Sequence, residues 1–301
     1  ELWAGTDDGR VHVTRDGGGS WTEITPPGMP DLGTVDEIEL SHHAPGRAFV
    51  AVHAYRLDDF TPYIFRTDDY GATWRTITGG LPDDYPVRTV REDPEREDLL
   101  FAGTEWGVFV SFDGGGEWQP LQLNLPETPI TGMRVAHGDL ILSTQGRSFW
   151  ILDDISPLRE LSSTVAEADA HLFAPRDAHR VLKGGGGGLA ELPPPSAPSG
   201  ATLYYLLGDD VEGEVRLEVV DAQGRTPRTF SSDSTLQADE DALPLPDGAG
   251  MHRITWDLTY DGPRFPDDAV VWGYTGGVKA PPGRYTVRLT AGGQVMERTL
   301  N

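Results

Sequence analysis

The 301 residues include no cysteine, so no disulfide staples this fold and cysteine usage tells nothing of its compartment. Basic residues are scarce. Only 24 Lys and Arg stand against 48 Asp and Glu, a formal charge of −24. That balance excludes a phosphate-backbone binder, which needs a basic footprint, so nucleic acid is not an expected partner. A field of this sign favours basic partners or cations. Long apolar runs are missing too, and none approaches the ~20 residues needed to cross a bilayer. Helical periodicity is confined to "SPLRELSSTVAEA", where Ser156 reads as a cap and Pro157 as the first helical position. The chain opens on Glu1 with no basic-then-apolar leader before it, which reads as a cleaved signal or a start partway through a longer product.

What the chain does have is glycine (37) and proline (24), scattered between short β-branched and aromatic runs. That is the pattern of many short strands joined by turns. One turn is written three times: "TRDGGGSW" from Thr14, "TDDYGATW" from Thr67 and "SFDGGGEW" from Ser111. Its surroundings repeat as well, since "LWAGTDDGRVHV" at Leu2 returns as "LFAGTEWGVFV" at Leu100. A fourth copy, "LILSTQGRSFWILDD" from Leu140, keeps both strands and loses the turn. A period in the forties with about four short strands per unit predicts β-propeller blades. The first blade is expected to lack its innermost strand, so that the chain opens in mid-blade.

Within each turn the residue types have structural work. The carboxylates of Asp16, Asp69 and Asp113 are placed to accept hydrogen bonds from nearby backbone N–H groups. Gly18, Gly71 and Gly115 supply angles that other residues resist. Trp21, Trp74 and Trp118 are expected to bury an apolar face between sheets. A calcium loop would need more oxygen ligands at alternate positions, so no metal site is read here and no cofactor is expected.

From Lys183 the composition changes to "KGGGGG" and "LPPPSAPSG", which reads as a linker. Beyond it, alternating runs with turns at Ala222–Arg225 and Ala291–Gln294 predict an immunoglobulin-like sandwich. The expected organisation is therefore all-β: a partial or small propeller over 1–182 with a short helical exit, a linker over 183–200 and a sandwich over 201–301.

The S/T-x-D-x-G-x-x-W turns resemble the Asp-box, or BNR, repeats of sialidase-like and sortilin-like propellers. "YRLDDFTPYIFRTDDYGATW", "GTEWGVFVSFDGGGEWQPLQLNLP" and "GRSFWILDDISPLREL" are similar to exported bacterial proteins labelled BNR-repeat glycosyl hydrolases. The tail "APPGRYTVRLTAGGQ" resembles the FlgD-like Ig domain that closes such chains. The resemblance implies an extracytoplasmic protein. For a sialidase it would imply three carboxylate-clamping arginines and a Tyr–Glu pair, yet neither Arg-Ile-Pro nor Arg-Leu-Pro occurs. No nucleophile elbow, HExxH or P-loop occurs either, and no catalytic residue is assigned. His42 and His43 are adjacent and read as loop residues rather than a chelating pair.

Propeller topology gathers the turns between second and third strands on one face. Those turns carry Asp7 and Asp8; Arg56, Asp58 and Asp59; Glu105 and Trp106; and Gln145 with Arg147. This ring is the candidate binding face for a sugar or a basic loop, with ion pairs from Arg56 and Arg147 expected to brace it. The leading reading is a non-catalytic interaction module that docks on a protein partner or larger complex. The alternatives are the C-terminal part of a BNR-type glycoside hydrolase and a sortilin-like glycan- or peptide-binding protein.

Overall fold

A computed structural model of the chain describes residues 1–180, 199–209, 211–233, 235, 244–263, 270, 272 and 277–301. They form two units, Glu1–Ile155 and Ser156–Asn301.

The first unit is a run of antiparallel sheets in which neighbours in sequence are neighbours in the sheet. β1 (Leu2–Gly5), β2 (Val11–Thr14) and β3 (Thr22–Glu23) make the first. β4 (Thr34–Leu40), β5 (Ala48–Ala54), β6 (Asp59–Thr67) and β7 (Arg75–Thr76) make the second. β8 (Val87–Glu92), β9 (Leu100–Thr104), β10 (Val108–Ser111) and β11 (Gln119–Pro120) make the third, and β12 (Ile130–Ala136), β13 (Asp139–Thr144) and β14 (Phe149–Leu152) the fourth. This is the blade architecture of a β-propeller. All seven residues of β5 are buried, because a strand between two neighbouring sheets has no solvent face. Val50 and Val52 meet Val11, Trp3 and Ile24 of the first sheet, while Phe49 and Ala51 meet Val90 and Trp118 of the third.

The four sheets are not complete to the same degree. By the repeat, β1 corresponds to β9, and the first sheet has no counterpart of β8 among the described residues. Leu2 is accordingly 51% exposed where its equivalent Leu100 is fully buried. Among the described residues the fourth sheet has no outermost strand of the kind that follows a repeated turn, as the loss of that turn from the sequence predicts.

One regularity has no sequence signature. The innermost strands β4, β8 and β12 each slip register by one residue near their start, between Val35 and Glu37, Val87 and Thr89, and Ile130 and Gly132. Asp36, Arg88 and Thr131 are left outside the pairing. Such bulges re-aim a side chain.

The second unit has two antiparallel sheets. β15 (Ala170–Leu172), β16 (Ala201–Leu207) and β19 (Gly250–Trp256) form one, and β18 (Arg228–Ser231), β17 (Arg216–Asp221), β20 (Tyr285–Ala291) and β21 (Gln294–Leu300) the other. Their inward residues share one core, with Leu203, Tyr205, Leu207 and Trp256 from the first sheet and Leu217, Val219, Val287 and Leu289 from the second. This is a sandwich, and the alternating burial of β16 and β20 is its period-two signature. Gly292 and Gly293 take left-handed φ of 54° and 73° in the hairpin between β20 and β21, the conformation a two-residue turn requires.

Two sequence expectations need correction. The helical stretch is split into α1 (Ser156–Glu160) and α2 (Ser163–Ala166), and it is Ser162 that caps, accepting from the Val165 N–H at 3.3 Å. It also belongs to the second unit, which begins at Ser156 and not at residue 201. The cause is β15, which pairs with β16 across the whole Gly/Pro-rich stretch. Residues 183–200 therefore join two paired strands of one unit rather than two domains, and 181–198 lie outside the described residues.

Candidate functional site

The three repeated turns have the same construction. In the first, Asp16 Oδ1 accepts from the Thr14 hydroxyl at 2.7 Å and the Ser20 N–H at 3.0 Å, and Oδ2 accepts from the Ser20 hydroxyl at 2.7 Å. Asp69 makes the equivalent bonds with Thr67 (2.9 Å), the Thr73 N–H (2.8 Å) and the Thr73 hydroxyl (2.7 Å). Asp113 accepts from Ser111 at 2.8 Å and the Glu117 N–H at 3.0 Å. The Thr14, Thr67 and Ser111 hydroxyl oxygens in turn each accept from the N–H of Gly18, Gly71 or Gly115 at 2.9 Å. These bonds favour the charged carboxylate. The Ser20 hydroxyl is the chief cause of the low pKa of Asp16, and the Thr73 hydroxyl of that of Asp69. At Asp113 burial pushes upward and is outweighed by the Glu117 N–H and the Ser111 hydroxyl, so its pKa is also lowered.

The tryptophans depart from expectation. Trp118 is 2% exposed and Trp74 half-buried, but Trp21 is 46% exposed, because no sheet among the described residues covers the face on which it lies.

The ring of second-to-third-strand turns is likewise changed. Asp7, Asp8, Arg56, Asp58, Gln145 and Arg147 are all exposed. Asp8 accepts from the Thr6 hydroxyl, and the Arg147 carbonyl accepts from the Trp150 indole at 3.0 Å. The loop carrying Arg56 is tighter than its sequence suggests, for β6 starts at Asp59 and pairs it with Ala54. Asp59 is occupied by the Thr61 N–H at 3.0 Å and the Tyr63 hydroxyl at 2.7 Å. The Arg56 guanidinium rests 5.8 Å from the Tyr55 ring instead of bridging to Asp58 or Asp59. The expected bracing ion pairs are absent among the described residues. His42 and His43 do lie outside strands, and His43 Nε2 contacts the Asp93 carbonyl at 2.8 Å.

What the structure does bring together is a groove of about 450 Å³ lined by Phe60, Asp84, Tyr85, Trp106 and Glu127. Only Trp106 was legible as a site residue. Phe60 is the second residue of β6, whereas Asp84, Tyr85 and Glu127 lie in the connections from one blade to the next. Those connections share the face of the second-to-third-strand turns, since each blade ends on the side where the next begins. That topological fact was the available signal.

The groove is built on fixed supports. Thr104 Oγ1 accepts from the N–H groups of both Trp106 and Gly107 at 3.1 Å, which holds the Trp106 turn. Tyr85 lies edge-on to Phe109 with centroids 5.9 Å apart, and 6.4 Å from Trp106 at 60°. Glu105 faces Arg88, the residue extruded by the β8 bulge, whose other nitrogen reaches the Tyr55 hydroxyl at 3.0 Å. Glu105 is thus neutralised within the fold and not offered to a ligand.

Two carboxylates with raised pKa lie elsewhere, on the innermost strand β4. Burial pushes Glu37 and Glu39 upward, against the pull of Arg91. Arg91 pairs with both, at 2.8 Å to Glu39, and donates to the Met133 carbonyl at 2.7 Å. Among the described residues no group of three His, Asp or Glu is placed to hold a metal ion. No helix among them is long and apolar enough to cross a membrane.

No protein-family model matches the sequence. Over 131 residues the chain is 30% identical to a xyloglucanase of a Paenibacillus species, a stretch that is 40% of this chain and 12% of that protein. The chain thus spans a small part of the relative it matches. Among solved structures it is similar to YCF48 from Cyanidioschyzon merolae, at 20% identity over 51% of this chain and 49% of that one, with a TM-score of 0.38. A YCF48 bound to D1 peptide is 12% identical over 99% and 77% of the two chains, with a TM-score of 0.40. The GH74 xyloglucanase of Xanthomonas campestris is 17% identical over 68% and 30%, with a TM-score of 0.38. None of these says what this chain binds.

Proposed function

We propose that the chain is a non-catalytic interaction module whose second-to-third-strand face docks on a protein partner. The observation that supports this is the groove at Trp106: an exposed indole on a braced turn, beside Tyr85 and Phe60, with carboxylates at its rim. Rigid aromatic anchors of this kind dominate binding energy at interfaces. Hydrolysis of a glycoside by two carboxylates would need a facing pair, one with raised pKa. Among the described residues the carboxylates with raised pKa, Glu37 and Glu39, are instead neighbours on one strand, held by Arg91. On this reading the repeated turns are Asp-boxes that hold blades together, the sandwich is a FlgD-like Ig domain, and the protein works outside the cytoplasm.

The second reading, a glycan-cleaving or glycan-binding protein of which this is a part, draws on the 131-residue likeness to a xyloglucanase. One experiment separates the two. The purified chain is assayed for reducing-end release on xyloglucan and other glycans, and wild type and Trp106→Ala are compared for retention of a partner in native extracts. We expect no turnover, and a stoichiometric partner that the variant loses. Turnover that falls when Glu105 or Asp59 is neutralised would reverse the conclusion.

A further inference from the structure

The groove's chemistry names what it takes. We infer that it receives the guanidinium of an arginine side chain, presented by a basic segment of the partner; this deepens the interaction-module reading and rests on it. Its walls are three aromatic rings, with Trp106 46% and Phe60 47% exposed. Tyr85 and Trp106 meet at 60° with centroids 6.4 Å apart, so they form a corner rather than a flat platform. A cation seated in such a corner lies within reach of both ring faces, the geometry in which aromatic quadrupoles attract charge.

The polar groups of the groove point the same way. Apart from the Tyr85 hydroxyl and the Trp106 indole N–H they are the carboxylates of Asp84 and Glu127, and an ionised carboxylate only accepts hydrogen bonds. Guanidinium is their complement: five donors, no acceptor, a permanent charge and a flat face that stacks on aromatics. A sugar hydroxyl can donate to the same carboxylates, but it brings no charge to offset theirs, which guanidinium does. No basic side chain among the described residues pairs with Asp84 or Glu127, whereas Glu105 beside them is already taken by Arg88. The surrounding field, at −24 over the chain, draws a basic segment toward this face.

The fold itself uses this contact repeatedly. The Arg15 guanidinium lies 4.1 Å from the Tyr70 ring centroid, Arg88 lies 5.2 Å from that of Tyr55 and Arg96 5.3 Å from that of Phe112. The Trp106 corner presents the same surface with no guanidinium among the described residues upon it.

The test is a titration of the whole chain with acetyl-Gly-Arg-Gly-Arg-Gly-amide, its Ser-for-Arg counterpart and a xyloglucan heptasaccharide. The indole N–H resonance of Trp106, identified by its loss in Trp106→Phe, is the readout. The arginine peptide should shift it saturably, and the serine peptide and the sugar should not. Asp84→Asn with Glu127→Gln should weaken the arginine peptide about tenfold, the loss of one to two charge contacts, and flatten its salt dependence. Neither carboxylate is buried, so these variants keep the fold, and their unchanged spectra elsewhere verify it. The inference is overturned if the arginine peptide leaves Trp106 unmoved, if the double variant binds it equally well, or if the sugar shifts Trp106 in its place. Loss of the peptide effect alongside a surviving Trp106-dependent partner would sink this inference and spare the interaction-module reading; loss of both would sink both.

Discussion

The indole N–H of Trp118 donates to the backbone carbonyl of Ile77 across 2.7 Å, joining the third blade to the second. Trp74 makes the same bond to Ile24 at 2.8 Å, joining the second blade to the first. In each case the acceptor stands three residues beyond the tryptophan of the previous repeated turn. Trp118→Ala should therefore cost about 3–5 kcal/mol, the scale of a deleted buried aromatic. Trp118→Phe should cost about 1–3 kcal/mol, chiefly for the carbonyl left unpaired. Trp21→Phe, at the uncovered end of the series, should stay within about 0.5 kcal/mol of wild type. Urea unfolding of the three variants checks the order.

The glycines of the repeated turns form the same series. A Cβ at Gly115 would meet Ile77 at 2.6 Å and one at Gly71 would meet Ile24 at 2.6 Å, while one at Gly18 has nothing within 4 Å. All three have positive φ, so alanine at any of them carries backbone strain of about 1 kcal/mol. Gly115→Ala and Gly71→Ala should lose a further 1–3 kcal/mol, roughly, from overpacking between blades. Equal melting-temperature losses at all three positions would show that blade contact contributes nothing.

Acid should loosen the first unit at its turns. The pKa values of Asp16, Asp69 and Asp113 are lowered from an ordinary 3.8. Their contribution is thus complete above that value and lost as pH falls through it toward the folded values. Asp69→Asn should flatten the decline of stability below about pH 4. Glu37 and Glu39, with pKa values raised above an ordinary 4.5, act in the opposite sense: they favour the fold at low pH and oppose it as pH rises through their folded values. Arg91→Met leaves both without their cation, and should cost about 3 kcal/mol near neutrality and less near pH 4. Denaturant midpoints measured across pH 3–8 test both signs.

Cleavage within the Gly/Pro-rich stretch should not release a domain. Glycine-rich backbone is a preferred site of nicking. Because β15 pairs with β16 from Ala170↔Leu207 to Leu172↔Tyr205, a chain cut between Lys183 and Ser199 should still elute as one species under native conditions. Separation into two folded fragments would mean that β15 contributes no stable pairing.

The sequence by itself determined the local architecture of this protein. The repeated turns and the alternation of strands fix where strands begin, how each turn closes and which blade lacks its outer strand. Those features depend on residues within about eight positions of one another, on turn chemistry and period-two burial. It also placed Trp106 in a turn between second and third strands, on the candidate binding face. Only the tertiary structure decided the rest. Trp21 and Trp118 occupy equivalent positions in repeated turns, and one is open and the other buried, because burial depends on whether a neighbouring sheet covers them. The Trp106 groove draws Phe60 from a strand and Tyr85, Asp84 and Glu127 from two connections, and the β15–β16 pairing moves a domain boundary to Ser156. Such contacts join residues far apart in the chain, and no local pattern encodes a distance that the packing of whole sheets sets.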